Sequence, residues 1–147
     1  MDIIIKKFDE LKIDELYNIL KLRSQVFVVE QNCVYQDLDD IDKISYHLFI
    51  KGNNNIIKFY LRIFEKDKET AQIGRVVTEE KERKKGLAFN LMKKGIEFCK
   101  NNMKKNKIYL EGQVYCKDLY LKLGFKIISD EFLEDGIPHY KMEKILN

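Results

Sequence analysis

Arg83-Lys84-Lys85-Gly86-Leu87-Ala88 is the stretch of this chain whose residue types and spacing most directly suggest chemistry. It follows a β-branched run, Ile73 to Thr78, and opens a lysine-studded amphipathic segment. A strand should therefore run into a short charged loop, and the loop into a helix whose first residues are Gly86, Leu87 and Ala88. The first turn of a helix has N–H groups with no intrahelical acceptor, and its aligned peptide dipoles add about half a positive charge. Small residues let a phosphate approach that backbone, and Arg83, Lys84 and Lys85 bring three full charges beside it. Anion binding is the chemistry this arrangement implies. No Gly-Lys-Ser or Gly-Lys-Thr follows the glycine, and one glycine stands where a dinucleotide fingerprint needs three, so the P-loop and Rossmann patterns are both poor fits. The plainer alternative is a basic surface turn.

Other reactive groups are scattered. Asp37, Asp39, Asp40 and Asp42 crowd one segment and would attract a cation such as an amine, although an acidic loop without function is an equal alternative. The two histidines, His47 and His139, are isolated, and Cys33, Cys99 and Cys116 lack metal-ligand spacing, so no metal is expected. His47, between Tyr46 and Leu48, reads as a satisfied core or surface histidine. Cys99 falls on an apolar stripe and reads as packing.

The elements that must position these groups can be followed along the chain. Ile3 to Phe8 reads as a first or edge strand. From Asp14, a plausible N-cap, the pattern turns helical, with Leu16, Ile19, Leu20, Val26 and Phe27 on one stripe and Glu15, Asn18, Lys21 and Gln25 opposite. This helix should fade before Asn32, leaving a long polar loop to Ser45 of the kind that often carries function. Tyr46 to Lys51 and Ile56 to Glu65 read as strands around Gly52-Asn-Asn-Asn55, and a turn near Lys66 to Lys68 leads into the strand Gln72 to Thr78, completing an antiparallel meander. In the helix after Gly86, Leu91, Met92, Ile96, Cys99 and Met103 form the buried stripe. A strand at Ile108 to Val114 follows, which predicts a crossover unit with its two strands parallel. A short helix from about Cys116 ends at Gly124, and Phe125 to Ser129 with Pro138 to Lys144 form a hairpin around Glu134-Asp-Gly136. The fold class is α/β (α+β), one domain over residues 1–147 with a mixed sheet.

Composition limits function. At 147 residues the chain can bury a core without disulfides or a metal. The start has too short an apolar run for a signal peptide and nothing later approaches a membrane span, which with an odd number of cysteines places the chain in the cytoplasm and away from membranes. A net charge of +3 is too mild to identify a nucleic-acid binder. Oligomeric state is not legible, which leaves a homo-oligomer open.

Arg-x-x-Gly-x-Ala after a strand and before a helix resembles the pyrophosphate-binding motif of the GCN5-related N-acetyltransferases, and Tyr120-Leu-Lys-Leu-Gly124-Phe125 resembles that family's Tyr-x-x-x-Gly-Phe. The element order agrees over essentially the whole chain. More narrowly, Leu22-Arg23-Ser-Gln-Val26-Phe27-Val-Val-Glu30-Gln31-Asn-Cys33-Val-Tyr35-Gln36-Asp37, Gly74-Arg75-Val76-Val77 and Glu134-Asp-Gly-Ile-Pro138-His139 look like the bacterial ElaA subfamily. The resemblance implies a mostly antiparallel central sheet flanked by helices, with acetyl-coenzyme A as co-substrate. Its pyrophosphate would lie on the backbone of Lys84, Lys85, Gly86, Leu87 and Ala88, with Arg83 nearby. Ala88 stands where many members have glycine. The pantetheine would pair with the main chain of Val76, Val77 and Thr78 as if it were an added strand.

The implied reaction is direct attack of an amine on a thioester. Tyr120 matches the tyrosine that protonates the leaving thiolate; an anchoring aromatic is the structural alternative. Glu111 is the candidate base, while Gln113, Glu30, Tyr35 and His139 come from segments expected around the acceptor. Arg23 and Arg75 could receive an acidic group on the acceptor, or could be paired internally with Glu30 or Glu111. A small amine is the expected partner, with amino sugar phosphates and polyamines both open. The rival class is a non-catalytic coenzyme A sensor or nucleic-acid module, against which Tyr120 counts.

Overall fold

The computed structural model describes residues 2–147. In chain order the elements are β1 (Ile3–Lys7), α1 (Ile13–Arg23), β2 (Tyr46–Lys51), β3 (Ile57–Glu65), β4 (Thr70–Thr78), α2 (Leu87–Asn101), β5 (Lys107–Gln113), α3 (Lys117–Lys122), β6 (Lys126–Ile127), β7 (Phe132–Glu134) and β8 (Ile137–Ile145). Hydrogen-bonded neighbours give an eight-stranded sheet ordered β1-β2-β3-β4-β5-β8-β6, with β7 on β8. The β4–β5 ladder is parallel, as a crossover through α2 requires, and pairs Thr70 with Lys107, Ala71 with Ile108 and Gln72 with Tyr109. The β1–β2, β2–β3, β5–β8, β6–β8 and β7–β8 ladders are antiparallel. The expected mixed, mostly antiparallel sheet is therefore present.

The chain contacts divide into two compact units, one made of the segment through Phe64 with Arg75–Ala88, the other of Glu65–Gly74 with Phe89–Asn147. In the first, Ile19, Leu22, Val26, Phe27, Phe49, Ile57, Tyr60 and Val77 form a buried cluster, with Ile4, Leu11 and Tyr35 packed against it. Ile19, Val26 and Phe27 of the expected stripe are among these residues; Leu22 joins them, whereas Leu16 and Leu20 are only partly buried.

The start of that helix differs from expectation. Asp14 is not the cap. The helix begins at Ile13, and the Glu15 carboxylate accepts the Lys12 N–H at 2.9 Å. Glu15 belongs to the buried side rather than the wet one, 2% exposed, held by the ammonium groups of Lys6 at 2.8 Å and Lys51 at 2.9 Å. Burial alone would raise its pKa; the Lys12 N–H and the two lysines outweigh that and hold it at about 2. After Arg23 the helix widens into π-type turns over Ser24–Glu30. Gln31 N–H reaches the Val26 carbonyl at 3.1 Å and Cys33 N–H the Val28 carbonyl at 3.0 Å.

In the second unit α2 buries Leu91, Met92, Gly95 and Cys99. Burial along β5 alternates, with Ile108, Leu110 and Gly112 inside. The C-terminal hairpin has one more strand than the sequence pattern suggests. β7 pairs tightly with β8 through Asp135 and Gly136, both at positive φ (50° and 79°), as a two-residue primed turn needs.

Candidate active site

The loop between β4 and α2 forms a backbone concavity. Arg83 is extended, with φ −73° and ψ 157°, Lys84 is left-handed at φ 64°, and Gly86 is left-handed at φ 75°. The helix starts at Leu87, so Gly86 precedes it rather than opening it. Alternating hand along successive residues turns neighbouring N–H groups to one side, the nest that receives anions. A Cβ on Gly86 would meet nothing within 4 Å, so the space before it is open.

The charges around this loop are not three free cations. Lys85 pairs with Glu82 at 3.2 Å. Arg83 donates its Nε–H to the Thr78 carbonyl at 3.1 Å and grips both Glu30 oxygens, at 3.2 and 2.6 Å. Arg83 thus ties the end of β4 to the end of the π-type segment. Lys84 is exposed.

Within β4, Arg75 sits at φ 52°. A non-glycine residue there stores on the order of 1–3 kcal/mol and persists only where its surroundings hold it. Asp37 does so, accepting from Arg75 Nε at 2.8 Å and, through its carbonyl, from Nη2 at 2.9 Å, while the guanidinium lies 5.7 Å from the Tyr35 ring centroid. The kink re-aims the backbone of Val76, Val77 and Thr78 that follows it.

Asp37 belongs to a larger network. Arg23, 1% exposed, donates Nε–H to Asp37 at 3.1 Å and Nη1–H to Asp42 at 2.7 Å. Arg62 donates to Asp39 at 2.7 and 2.8 Å and to Asp42 at 3.0 Å. Tyr35 donates its hydroxyl to Asp37 at 2.9 Å. Three guanidiniums thus face three carboxylates, correcting two expectations. Arg23 and Arg75 pair with Asp37, Asp39 and Asp42 rather than with Glu30 or Glu111. The acidic loop is neutralised internally, and only Asp40 stands in solvent, 3.6 Å from Lys43. Burial would raise the Asp42 pKa, but its bonds to Arg23 and Arg62 lower it; the bond to Arg62 lowers that of Asp39. His47 is a satisfied core histidine, with Nε2–H donating to the Asp42 carbonyl at 2.8 Å and Nδ1 accepting from the Tyr60 hydroxyl at 2.6 Å.

In the second unit, β5 presents different groups on its two faces. A Cβ on Gly112 would lie 2.7 Å from Cε2 of Tyr120, so this glycine exists to let the Tyr120 ring lie on the strand. Tyr120 is 5% exposed and meets Phe125 edge-on at 6.1 Å. Burial raises its pKa, with Cys116 adding to the effect. Among the described residues Arg62 Nε is the one fully buried side-chain nitrogen or oxygen without a partner. The Tyr120 hydroxyl makes no hydrogen bond to another of those residues.

The opposite face carries Tyr109, Glu111 and Gln113. Tyr109 donates its hydroxyl to Glu111 Oε2 at 2.7 Å, and the Lys66 ammonium lies 4.3 Å from the Tyr109 ring centroid. On β7, burial raises the Glu134 pKa, and the charge of Glu111 raises it further. His139, 6% exposed and opposite Gln113 on β8, holds Nδ1–H against the Ile137 carbonyl at 2.7 Å and brings Nε2 to 3.6 Å from Glu134.

The family model described as the acetyltransferase (GNAT) domain matches residues 13–146. The chain belongs to that acetyltransferase family. A UPF0039 protein of Schizosaccharomyces pombe is 41% identical over 97% of this chain and 95% of its own length. The crystal structure of Escherichia coli ElaA superposes with a TM-score of 0.91 at 34% identity, covering 98% of this chain and 99% of that one. An acyl-CoA N-acyltransferase structure from Pseudomonas aeruginosa gives 0.90 at 32% identity over the same shares.

The protein is thus an N-acetyltransferase of the GNAT superfamily, similar to ElaA, and the acetyltransferase fold is the one expected. Two parts of this acetyltransferase escaped sequence reasoning. Arg62 sat unnoticed in a strand, where an alternating pattern does not reveal that an inward charge has partners. Glu134 was visible only as a turn residue, because the pairing of β7 with β8 was not expected. No helix among the described residues is long and apolar enough to cross a membrane.

Proposed function

We propose that this acetyltransferase transfers an acetyl group from acetyl-coenzyme A directly to a small primary amine, acting as one catalytic domain. The observation that carries the assignment is the left-handed alternation at Lys84 and Gly86 ahead of α2, with open space before Gly86. It fits a diphosphate, since the N–H groups of Lys84, Lys85, Gly86, Leu87 and Ala88 can bond oxygens that no carboxylate of the loop occupies. Arg83 fixes the loop's entry through Thr78, and the re-aimed main chain of Val76, Val77 and Thr78 suits an extended pantetheine. Bound there, acetyl-coenzyme A supplies a thioester as acyl donor.

The chain's own groups manage protons. An acceptor amine arrives protonated, and Glu111 takes that proton. Tyr120 donates to the departing thiolate from the other face of β5. Burial raises its pKa, so the phenol is protonated at neutral pH and has a proton to give. Gln113 and His139 share the Glu111 side and orient the amine. Arg23, Tyr35 and Arg75 are saturated by Asp37 and its neighbours and act by shaping the 31–45 loop; Glu30 does so through Arg83. With these guanidiniums paired to Asp37, Asp39 and Asp42, an amino sugar phosphate loses the groups that would have received its phosphate and a polyamine loses the free carboxylates, so both acceptors stay open within the class of small primary amines. Three free cysteines suit a cytoplasmic setting.

Thiol release from acetyl-coenzyme A against a panel of primary amines tests the activity, and calorimetry tests the loop. Gly86→Val should weaken acetyl-coenzyme A at least about tenfold by placing a branched side chain in the anion's approach and straining a left-handed residue. Its melting temperature should fall by no more than the strain at one left-handed residue accounts for, because no neighbouring atom is displaced. Unchanged affinity would remove the loop from the cofactor site.

A further inference from the structure

His139 is buried on β8 with its two ring nitrogens in different circumstances. The Ile137 carbonyl can only accept, so Nδ1 donates to it at 2.7 Å and the neutral ring keeps its lone pair on Nε2. Nε2 lies 3.6 Å from Oε2 of Glu134, beyond hydrogen-bond reach. Two acceptors this close repel each other unless a donor stands between them. The Phe132 ring forms a wall here, its centroid 5.9 Å from that of His139 and its plane inclined by 31°. Gln113 and Phe132 flank His139 across its two ladders, and Glu134 stands opposite Ile137.

We propose that His139 Nε2 and Glu134 form a subsite for an ammonium, and that the acceptor is a straight-chain diamine whose second amine binds there while the first reacts at Glu111. This rests on the acetyl-transfer reading, with Glu111 receiving the reacting amine. The spacing follows from register. Glu111 stands opposite Lys141 and Gln113 opposite His139, so Glu111 and His139 are diagonal neighbours on one face of the β5–β8 pair. Diagonal neighbours stand roughly 7–8 Å apart, and an extended chain of about four to six methylenes separates two nitrogens by that much. An ammonium suits the subsite better than a neutral donor, because it brings three N–H groups and a charge. One N–H bonds Nε2, another bonds Glu134, and the carboxylate balances the charge.

Neighbouring charges set the strength of this site. Lys141, exposed and on the same face, brings its ammonium to 6.0 Å from the Phe132 ring centroid and repels a second cation. Against it, the negative charges of Glu111 and Asp135 act on Glu134, and a cation bound there relieves them. The Glu134 side chain is 45% exposed and meets an amine arriving from solvent, whereas that of His139 is 8% exposed and meets the nitrogen once it has entered. A protonated His139 would donate to Glu134 itself and close the subsite as an internal ion pair, so the subsite needs the neutral ring.

Thiol release from acetyl-coenzyme A is measured with the terminal diamines of propane, pentane and octane and with pentylamine. The pentane diamine should exceed pentylamine in kcat/KM by about tenfold or more, the effect of one or two charge-assisted hydrogen bonds, and should also exceed the shorter and longer diamines. Glu134→Gln should bring the ratio of pentane diamine to pentylamine toward one, and Glu134→Asp should restore part of it, whereas a merely structural loss would lower both amines alike. Equal kcat/KM for diamine and monoamine in the wild type overturns the subsite. Binding is read without turnover by 15N NMR of the free enzyme carrying labelled histidine. His139 should show the Nδ1–H tautomer, and the pentane diamine should shift its Nε2 signal where pentylamine does not. An imidazolium signal for His139, or an Nε2 signal that the diamine leaves unmoved, overturns the proposal. Absence of thiol release from every amine, with the Nε2 signal still shifted by the diamine, overturns acetyl transfer and supports the subsite, so the two failures are distinct.

Discussion

Tyr120→Phe keeps the ring that lies on Gly112 and packs on Phe125, and deletes one hydroxyl that bonds to no described residue. Turnover should fall by about 10²–10⁴, the usual range for one general acid, while the melting temperature barely moves because no internal hydrogen bond is lost. Measuring both separates a proton donor from an anchor. Gly112→Ala is the converse change, since the new Cβ would lie 2.7 Å from the ring and push it. Overpacking of this kind costs about 1–3 kcal/mol, readable by denaturant titration, and should lower turnover by displacing the hydroxyl. The tyrosine was legible from its distance to Gly124-Phe125, a purely local pattern. Its glycine partner was not, because nothing along β5 tells which face a distant helix will cover.

At the scale of elements, the 31–45 loop is held by its ion pairs as well as by the packing of Cys33 and Tyr35, so its stability should depend on pH. His47 is neutral in the fold and burial lowers its pKa below the ordinary 6.5. Below about pH 6.5 the unfolded chain therefore binds a proton that the folded chain refuses, and stability falls as pH drops toward the folded value. Asp39 and Asp42 have lowered pKa values, so their contribution is present above the ordinary 3.8 and is lost as pH falls through their folded values. Glu15 adds the same sense between 4.5 and about 2. Urea titrations at pH 7.5, 6, 5 and 4 should give steadily decreasing stability, and a flat profile would contradict the network. Asp42→Ala leaves Arg23 and Arg62 facing each other in the interior and should cost about 3–5 kcal/mol, the usual loss on breaking a buried pair. The loop's length and acidity were legible in the sequence. Its role was not, because the neutralising arginines come from α1, β3 and β4.

For the whole molecule, element order carried most of the fold. The meander, the α2 crossover with its parallel pair and the final hairpin follow from periodicity and turn residues. What periodicity could not supply were departures from regular backbone: the π-type turns at Ser24–Glu30, Arg75 at φ 52° and Lys84 at φ 64°. The first two are held by contacts distant in sequence, Glu30 with Arg83 and Arg75 with Asp37, so the residue itself gives little sign. A net charge of +3, with loop cations partly paired, predicts weak and non-specific nucleic-acid binding. Duplex DNA should associate no more tightly than about 10⁻⁶ M at physiological salt, weakening steeply as salt rises, by fluorescence anisotropy.

The balance of Arg23, Arg62 and Arg75 against Asp37, Asp39 and Asp42 also constrains descent. A domain is stable by only about 5–15 kcal/mol, so losing one member of a buried pair consumes much of the margin in a single mutational step. These positions should be inherited as a block. Among relatives sharing the Arg75 kink, lineages should either keep the set or have exchanged an arginine and an aspartate together for neutral residues, and an ancestor-to-descendant path through an unpaired intermediate should be rare.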